Sequence, residues 1–146
     1  MTLLRMDNVG VVVEDMDAAV AFFAELGLKR EGEATLSGSW VESVVALDGL
    51  RCDIVMMRTP DGHGALELTK FHAPAVISPE PRPAPLNTLG LRRIMFEVDD
   101  LDDVIARLRT RGGELVGGVE QFEDVYRLCF LRSPEGILLG LAQRTG

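Results

Sequence analysis

The sequence is short of the residue types that most catalytic chemistry draws on. It holds two histidines, two cysteines, one tryptophan and one tyrosine in 146 residues. No CxxC pair occurs. Cys52 and Cys129 each lie inside an apolar run and read as buried free thiols in a reducing compartment rather than as a disulfide. No apolar run approaches the roughly 18 residues a membrane helix needs. The start, Met1-Thr2-Leu3-Leu4-Arg5-Met6-Asp7, lacks the layout of a signal peptide. A cytoplasmic protein with no membrane partner is expected. No basic cluster exceeds a pair such as Arg92-Arg93, and the net charge is −8. Phosphate backbones need a basic patch, so nucleic acid is not an expected partner. A nucleophile elbow, a P-loop, a Rossmann glycine pattern and zinc spacing are all missing, which leaves Ser/His/Asp and Cys/His catalysis without support.

What is present is one phrase used twice. Asn8-Val9-Gly10-Val11-Val12-Val13-Glu14-Asp15-Met16-Asp17 returns as Arg93-Ile94-Met95-Phe96-Glu97-Val98-Asp99-Asp100-Leu101-Asp102. Each reads as a polar residue, an apolar strand, an acidic turn and an amphipathic helix. A second pair keeps the same order: Met57-Arg58-Thr59-Pro60-Asp61-Gly62 and Leu131-Arg132-Ser133-Pro134-Glu135-Gly136. The length allows one domain, or two small modules sharing a core.

Residues 6–13 are rich in β-branched side chains and predict a buried strand. Asp15 or Asp17 then offers a helix N-cap. Met16, Ala19, Val20 and Phe23 share one helical face, and Gly27 suits the stop. Strands are predicted at 28–36, 51–58 and 65–71, with a loop at 37–39 and a short helix over 40–47. The second module predicts a strand at 91–98, a helix with Leu101, Val104, Ile105 and Leu108 inward, a stop at Gly112-Gly113, and strands at 115–121, 126–131 and 137–143. Five prolines between Ala73 and Leu89 exclude helix and central strand there. The expectation is an α+β fold of two tandem βαβββ modules, 5–72 and 90–144, joined by a Pro-rich linker at 73–89. Their cupped mixed sheets would enclose a cleft, a natural place for a small molecule.

These phrases, with the Pro-Glu-Gly turn before the final strand and the Ala65-Leu66-Glu67-Leu68 strand, resemble the vicinal oxygen chelate superfamily. It includes glyoxalase I, methylmalonyl-CoA epimerase, extradiol dioxygenases, and the bleomycin- and fosfomycin-resistance proteins. The resemblance covers nearly the whole chain and implies a homodimer. It also implies metal-ligand positions at Asn8, Glu67, Arg93 and Gly140. Only Glu67 is a normal ligand. Asn8 offers a weak carbonyl oxygen, Gly140 has no side chain, and Arg93 is a permanent cation. No conventional metal is therefore expected. Glu67 and Arg93 would face one cleft, either as a structural ion pair or with Arg93 receiving an anionic or vicinal-oxygen ligand.

Other residues complete the candidate set. Glu97 shares a strand face with Arg93 and would pair with it or act as a general base. Trp40 reads as a lid or as core, and Tyr126 as a cleft or sheet-edge residue. His63 reads as an exposed turn residue. His72 lies an odd number of steps after Glu67, on the opposite face unless the chain curls back. Glu67, His72 and Glu123 form the metal set that remains open. The leading expectation is a glyoxalase/bleomycin-resistance-like protein that binds a small organic ligand, with Asn8, Glu67, Arg93, Trp40 and Tyr126 as contacts. Sequestration, sensing and metal-free chemistry all fit. The alternative is a divalent-metal-dependent lyase or epimerase with a rearranged ligand set, using Glu67 or Glu97 as catalytic groups. A third is an interaction module with a filled cleft.

Overall fold

Both copies of the strand–acid–helix phrase fold as their residues dictate. The computed structural model describes residues 2–80 and 82–146. The chain divides into two compact units, residues 1–77 and 78–146. In the first, β1 (Val9–Val12) leads into α1 (Met16–Leu26). Asp15 caps α1 by accepting from the Ala18 N–H at 3.0 Å, filling a donor that the first helical turn leaves open. Gly27 ends α1 with φ 121°, a backbone setting that a side chain disfavours, and its N–H returns to Phe23 and Ala24. The buried stripe of α1 is Ala19, Phe22, Phe23 and Leu26. Met16 and Val20, expected on that stripe, are half-buried at its edge, and Phe22 is buried in the stripe beside Phe23.

β2 (Lys29–Ser37), α2 (Ser39–Val45), β3 (Arg51–Arg58) and β4 (Ala65–Ala73) complete the first unit. The sheet order is β1-β4-β3-β2, with β1 parallel to β4 and the other pairs antiparallel. Val11, Val55, Met57, Leu66 and Leu68 alternate onto the buried side. α2 interrupts the simple βαβββ order. It survives because Val41 packs with Leu50 and Cys52 against Leu36, Ile54 and Phe71.

In the second unit β5 (Arg93–Glu97) is followed by α3 (Leu101–Arg109), capped by Asp100 through the Asp103 N–H. Leu101, Val104, Ile105 and Leu108 are its buried residues, as the periodicity predicts. β6 (Glu114–Leu115), β7 (Glu120–Phe122), β8 (Tyr126–Arg132) and β9 (Leu138–Arg144) follow. The order is β5-β9-β8-β6, with β5 parallel to β9 and β7 also on β8. The single strand expected at 115–121 is two. Gly117-Gly118 breaks it, since glycine adds no side chain to hold a ladder, and the halves pair with opposite ends of β8.

The repeated Arg-Thr/Ser-Pro-Asp/Glu-Gly turn is built the same way twice. Arg58 donates to the Gly62 carbonyl and Arg132 to the Gly136 carbonyl, each at 3.3 Å. Thr59 and Ser133 accept backbone N–H groups on their hydroxyls. The remaining bonds differ: Arg58 pairs with Glu31, whereas Arg132 donates to the Ala84 carbonyl at 2.7 Å. The 82–90 segment is thereby tied to the second unit. Among the described residues no helix is long and apolar enough to cross a membrane.

Gly112 (φ 87°) packs against this turn, and a Cβ there would stand 2.9 Å from Pro134 Cγ. Gly112→Ala should therefore lower unfolding stability by about 1–3 kcal/mol. Gly117, with open space around it, should tolerate alanine with a change of at most about 0.5 kcal/mol. Urea denaturation of the two variants reads the difference.

Candidate functional site

The first unit carries chemistry on both sides of its sheet. Glu67 is half-buried on β4, in register with Gly10 of β1 and Met56 of β3, on the side away from Leu66 and Leu68. Asn8 stands just before β1 and donates its amide to Asp7 at 3.3 Å. Trp40 on α2 is 60% exposed, so it is not a core residue. His63 is exposed in the turn, as its setting suggests.

β4 continues through Ala73 with a register shift against β3 at His72, and the contact with Asp53 places the His72 side chain on the face opposite Glu67. Its Nε2 lies 2.8 Å from Asp53 Oδ2, and Asp53 Oδ1 accepts from the Thr35 hydroxyl at 2.9 Å. Hydrogen bonding from His72 and then Thr35 holds the Asp53 carboxyl below the usual carboxylate range. This array lines a groove of about 460 Å³ with Arg30, Glu33, Lys70 and the start of α1. Thr35 and Asp53 were not anticipated. Their signal was Asp53 itself, the one charge inside the apolar Cys52–Met57 run.

In the second unit Arg93, Met95 and Glu97 alternate to the exposed side of β5, with Ile94 and Phe96 turned inward. The Arg93 guanidinium lies 5.2 Å from the Phe130 ring centre, a cation–π placement. Met95 and Phe130 are both in register with Gly140 of β9. Gly140 is needed there: a Cβ would overlap the Met95 sulfur and stand 3.1 Å from the Phe130 ring edge. Glu97 does not pair with Arg93. Four residues along a strand separate Cα atoms by roughly 13 Å, and Glu97 instead meets Arg144 at 3.4 Å. Arg144 lies 5.1 Å from the Tyr126 ring centre, which places Tyr126 in this polar end of the sheet. Arg127 binds Asp102 through both outer nitrogens, at 3.0 and 3.2 Å.

Beside Arg93 a groove of about 550 Å³ is lined by residues 86–93 and Met95. Arg92 is half-buried in its wall, and its Nε is shielded from solvent with no acceptor among the described residues. Within the second unit neither Arg92 nor Arg93 has a carboxylate partner among the described residues.

The donor chemistry does not suit a divalent cation at the positions the resemblance implies. The first unit supplies an amide at Asn8 and a carboxylate at Glu67. The second supplies the Arg93 cation, and at Gly140 no donor at all, the space being filled by the Met95 thioether. A divalent ion needs several anionic or imidazole ligands. Within the first unit Glu67 and His72 point to opposite faces of the sheet and do not come together as ligands. Among the described residues no three His, Cys, Asp or Glu side chains gather as a metal requires.

The Asp53 bonds bear on stability. A carboxyl held low in the folded state stabilises fully above its ordinary range and loses that contribution as pH falls through the lowered value. The urea midpoint should drop on acidification below the ordinary aspartate range, and Asp53→Asn should flatten that part of the profile.

Comparisons with known proteins accord with this geometry. The family model described as Glyoxalase/Bleomycin resistance protein/Dioxygenase superfamily matches residues 5–141. No curated protein matches the sequence. A glyoxalase family protein from Bacillus cereus is 49% identical with TM-score 0.95, the match covering 100% of this chain and 97% of that one. A glyoxalase family protein from Enterococcus faecalis (22% identity, TM-score 0.65, 97% and 99% covered) and an antibiotic binding protein from Streptomyces (21%, 0.60, 99% and 98%) share the fold. Two strand–helix units with parallel returns, matched over nearly the whole length, place this chain in the glyoxalase/bleomycin resistance protein/dioxygenase superfamily.

Proposed function

We propose that the protein binds a small organic anion on the exposed face of the second unit's sheet, with Arg93 as the receiving group. The observation that carries this reading is the Arg93 guanidinium held over Phe130 beside a groove of about 550 Å³. A guanidinium stacked on a ring keeps its edge free, and that edge matches a carboxylate or a pair of vicinal oxygens in a forked geometry. The groove falls within the size range of small-molecule sites. Gly140 and Met95 leave an apolar floor next to the charge. An antibiotic binding protein with the same fold supports a binding role without requiring a reaction. Sequestration or sensing follows from binding alone.

Benzoate titrated calorimetrically into the purified protein should show binding that Arg93→Gln weakens at least about tenfold. Phe130→Leu, which removes the ring but not the charge, should weaken it by only about two- to fivefold. Benzoate binding that Arg93→Gln leaves unchanged would overturn the reading. Metal content tests the alternative. After incubation with Ni²⁺, Zn²⁺, Mn²⁺ or Fe²⁺ and desalting, retained metal should stay far below one ion per chain. Near-stoichiometric retention would return Glu67, His72 and Glu123 to consideration as ligands of a lyase or epimerase.

A further inference from the structure

The second unit ties up its arginines with some regularity. Arg107 pairs with Asp103, Arg127 with Asp102 and Arg144 with Glu97. Arg132 is held by the Gly136 and Ala84 carbonyls. Arg92 and Arg93 are consecutive and line the same groove; like the exposed Arg82 and Arg109, neither meets a carboxylate within the unit among the described residues. In a protein of net charge −8, acidic partners are not scarce, so two uncompensated cations in one groove require an explanation.

Arg92 makes the case independently of Arg93. It is half-buried, and its Nε–H has no acceptor among the described residues. A donor withdrawn from water without a partner is uncommon in folded proteins, and here it leaves the guanidinium charge uncompensated in the groove wall. The same side chain lines the groove, so an oxyanion there would be met by the guanidinium and would neutralise it. The groove supplies the rest of a ligand's needs. Leu86, Leu91 and Met95 give apolar wall, and Asn87 and Thr88 give polar groups at one side. The wall is fixed in place by the Arg132 bond to Ala84 and by the Thr88 N–H to Pro85 carbonyl turn at 3.1 Å.

We infer that this groove takes a small organic dianion with an apolar body, Arg93 receiving one charge and Arg92 the other. The inference rests on the reading that Arg93 receives an anion and extends it to the ligand's class. A monoanion would leave one guanidinium uncompensated. A dicarboxylate and a phosphate monoester share the needed chemistry.

Calorimetry on the full chain with benzoate, phthalate and phenyl phosphate separates the possibilities. The wild-type protein should bind phthalate at least about tenfold more tightly than benzoate, since each added charge-assisted contact strengthens binding. Arg92→Gln should bring phthalate down to the benzoate level and leave benzoate within about twofold, because only the second charge loses its partner. Arg93→Gln should weaken both probes. Phenyl phosphate binding tighter than phthalate assigns the dianion to a phosphate monoester, and the reverse assigns a dicarboxylate. A phthalate-to-benzoate ratio unchanged by Arg92→Gln would overturn the dianion inference and leave Arg93 as a monoanion receptor. Benzoate unaffected by Arg93→Gln would instead overturn the anion reading itself. Thermal melts of both variants, expected to match the wild type, confirm that a lost contact and not a lost fold is being read.

Discussion

The parallel return of β4 beside β1, and of β9 beside β5, is the hydrogen-bonded constraint from which the rest of each unit follows. A parallel pair cannot be closed by a tight hairpin, so the chain must cross over between the strands, and here each crossover begins with a helix, α1 or α3. That crossing helix then covers one sheet face and makes the two faces unlike. Register does the remaining work. Gly10 falls beside Glu67 in one unit, and Met95 beside Gly140 in the other. A one-residue slip would turn Glu67 and Arg93 toward their helices and Leu68 and Ile94 outward.

Much of this was legible because the informative residues act locally. Asp15 and Asp100 cap helices over three residues, Gly27 ends one, and the Arg-x-Pro-x-Gly turns close on themselves. Such features need no knowledge of distant chain. The misreadings came where a distant contact decides. Gly117-Gly118 falls where the two halves pair with opposite ends of one edge of β8. On α1 the buried stripe takes Phe22 and leaves Met16 half-buried, a choice made by the packing partners and not by the spacing alone. Neither fact is written in the local pattern.

The same division applies to the site. Alternation along β5 placed Arg93 and Glu97 on one face, and that is where they lie. Their pairing was a separate question, decided by distance, and Arg144 from the neighbouring strand was the nearer partner for Glu97. His72 lies on the face opposite Glu67, where Asp53 and Thr35 meet it. Arg92 is visible in the sequence only as half of a basic pair; what surrounds its Nε depends on the course of the preceding segment, residues 86–91.

The unequal bonding of Arg58 and Arg132 also orders events in time. Ala84 leaves the ribosome some forty-eight residues ahead of the arginine that grips it. Residues 1–77 can reach their compact form while this later bond is still unmade, since domains tend to fold as units in order of synthesis. The groove wall, by contrast, waits for one of the last strands. During translation the segment that carries the two arginines therefore stays untied until β8 emerges, and the groove they line is among the last parts of the protein to form.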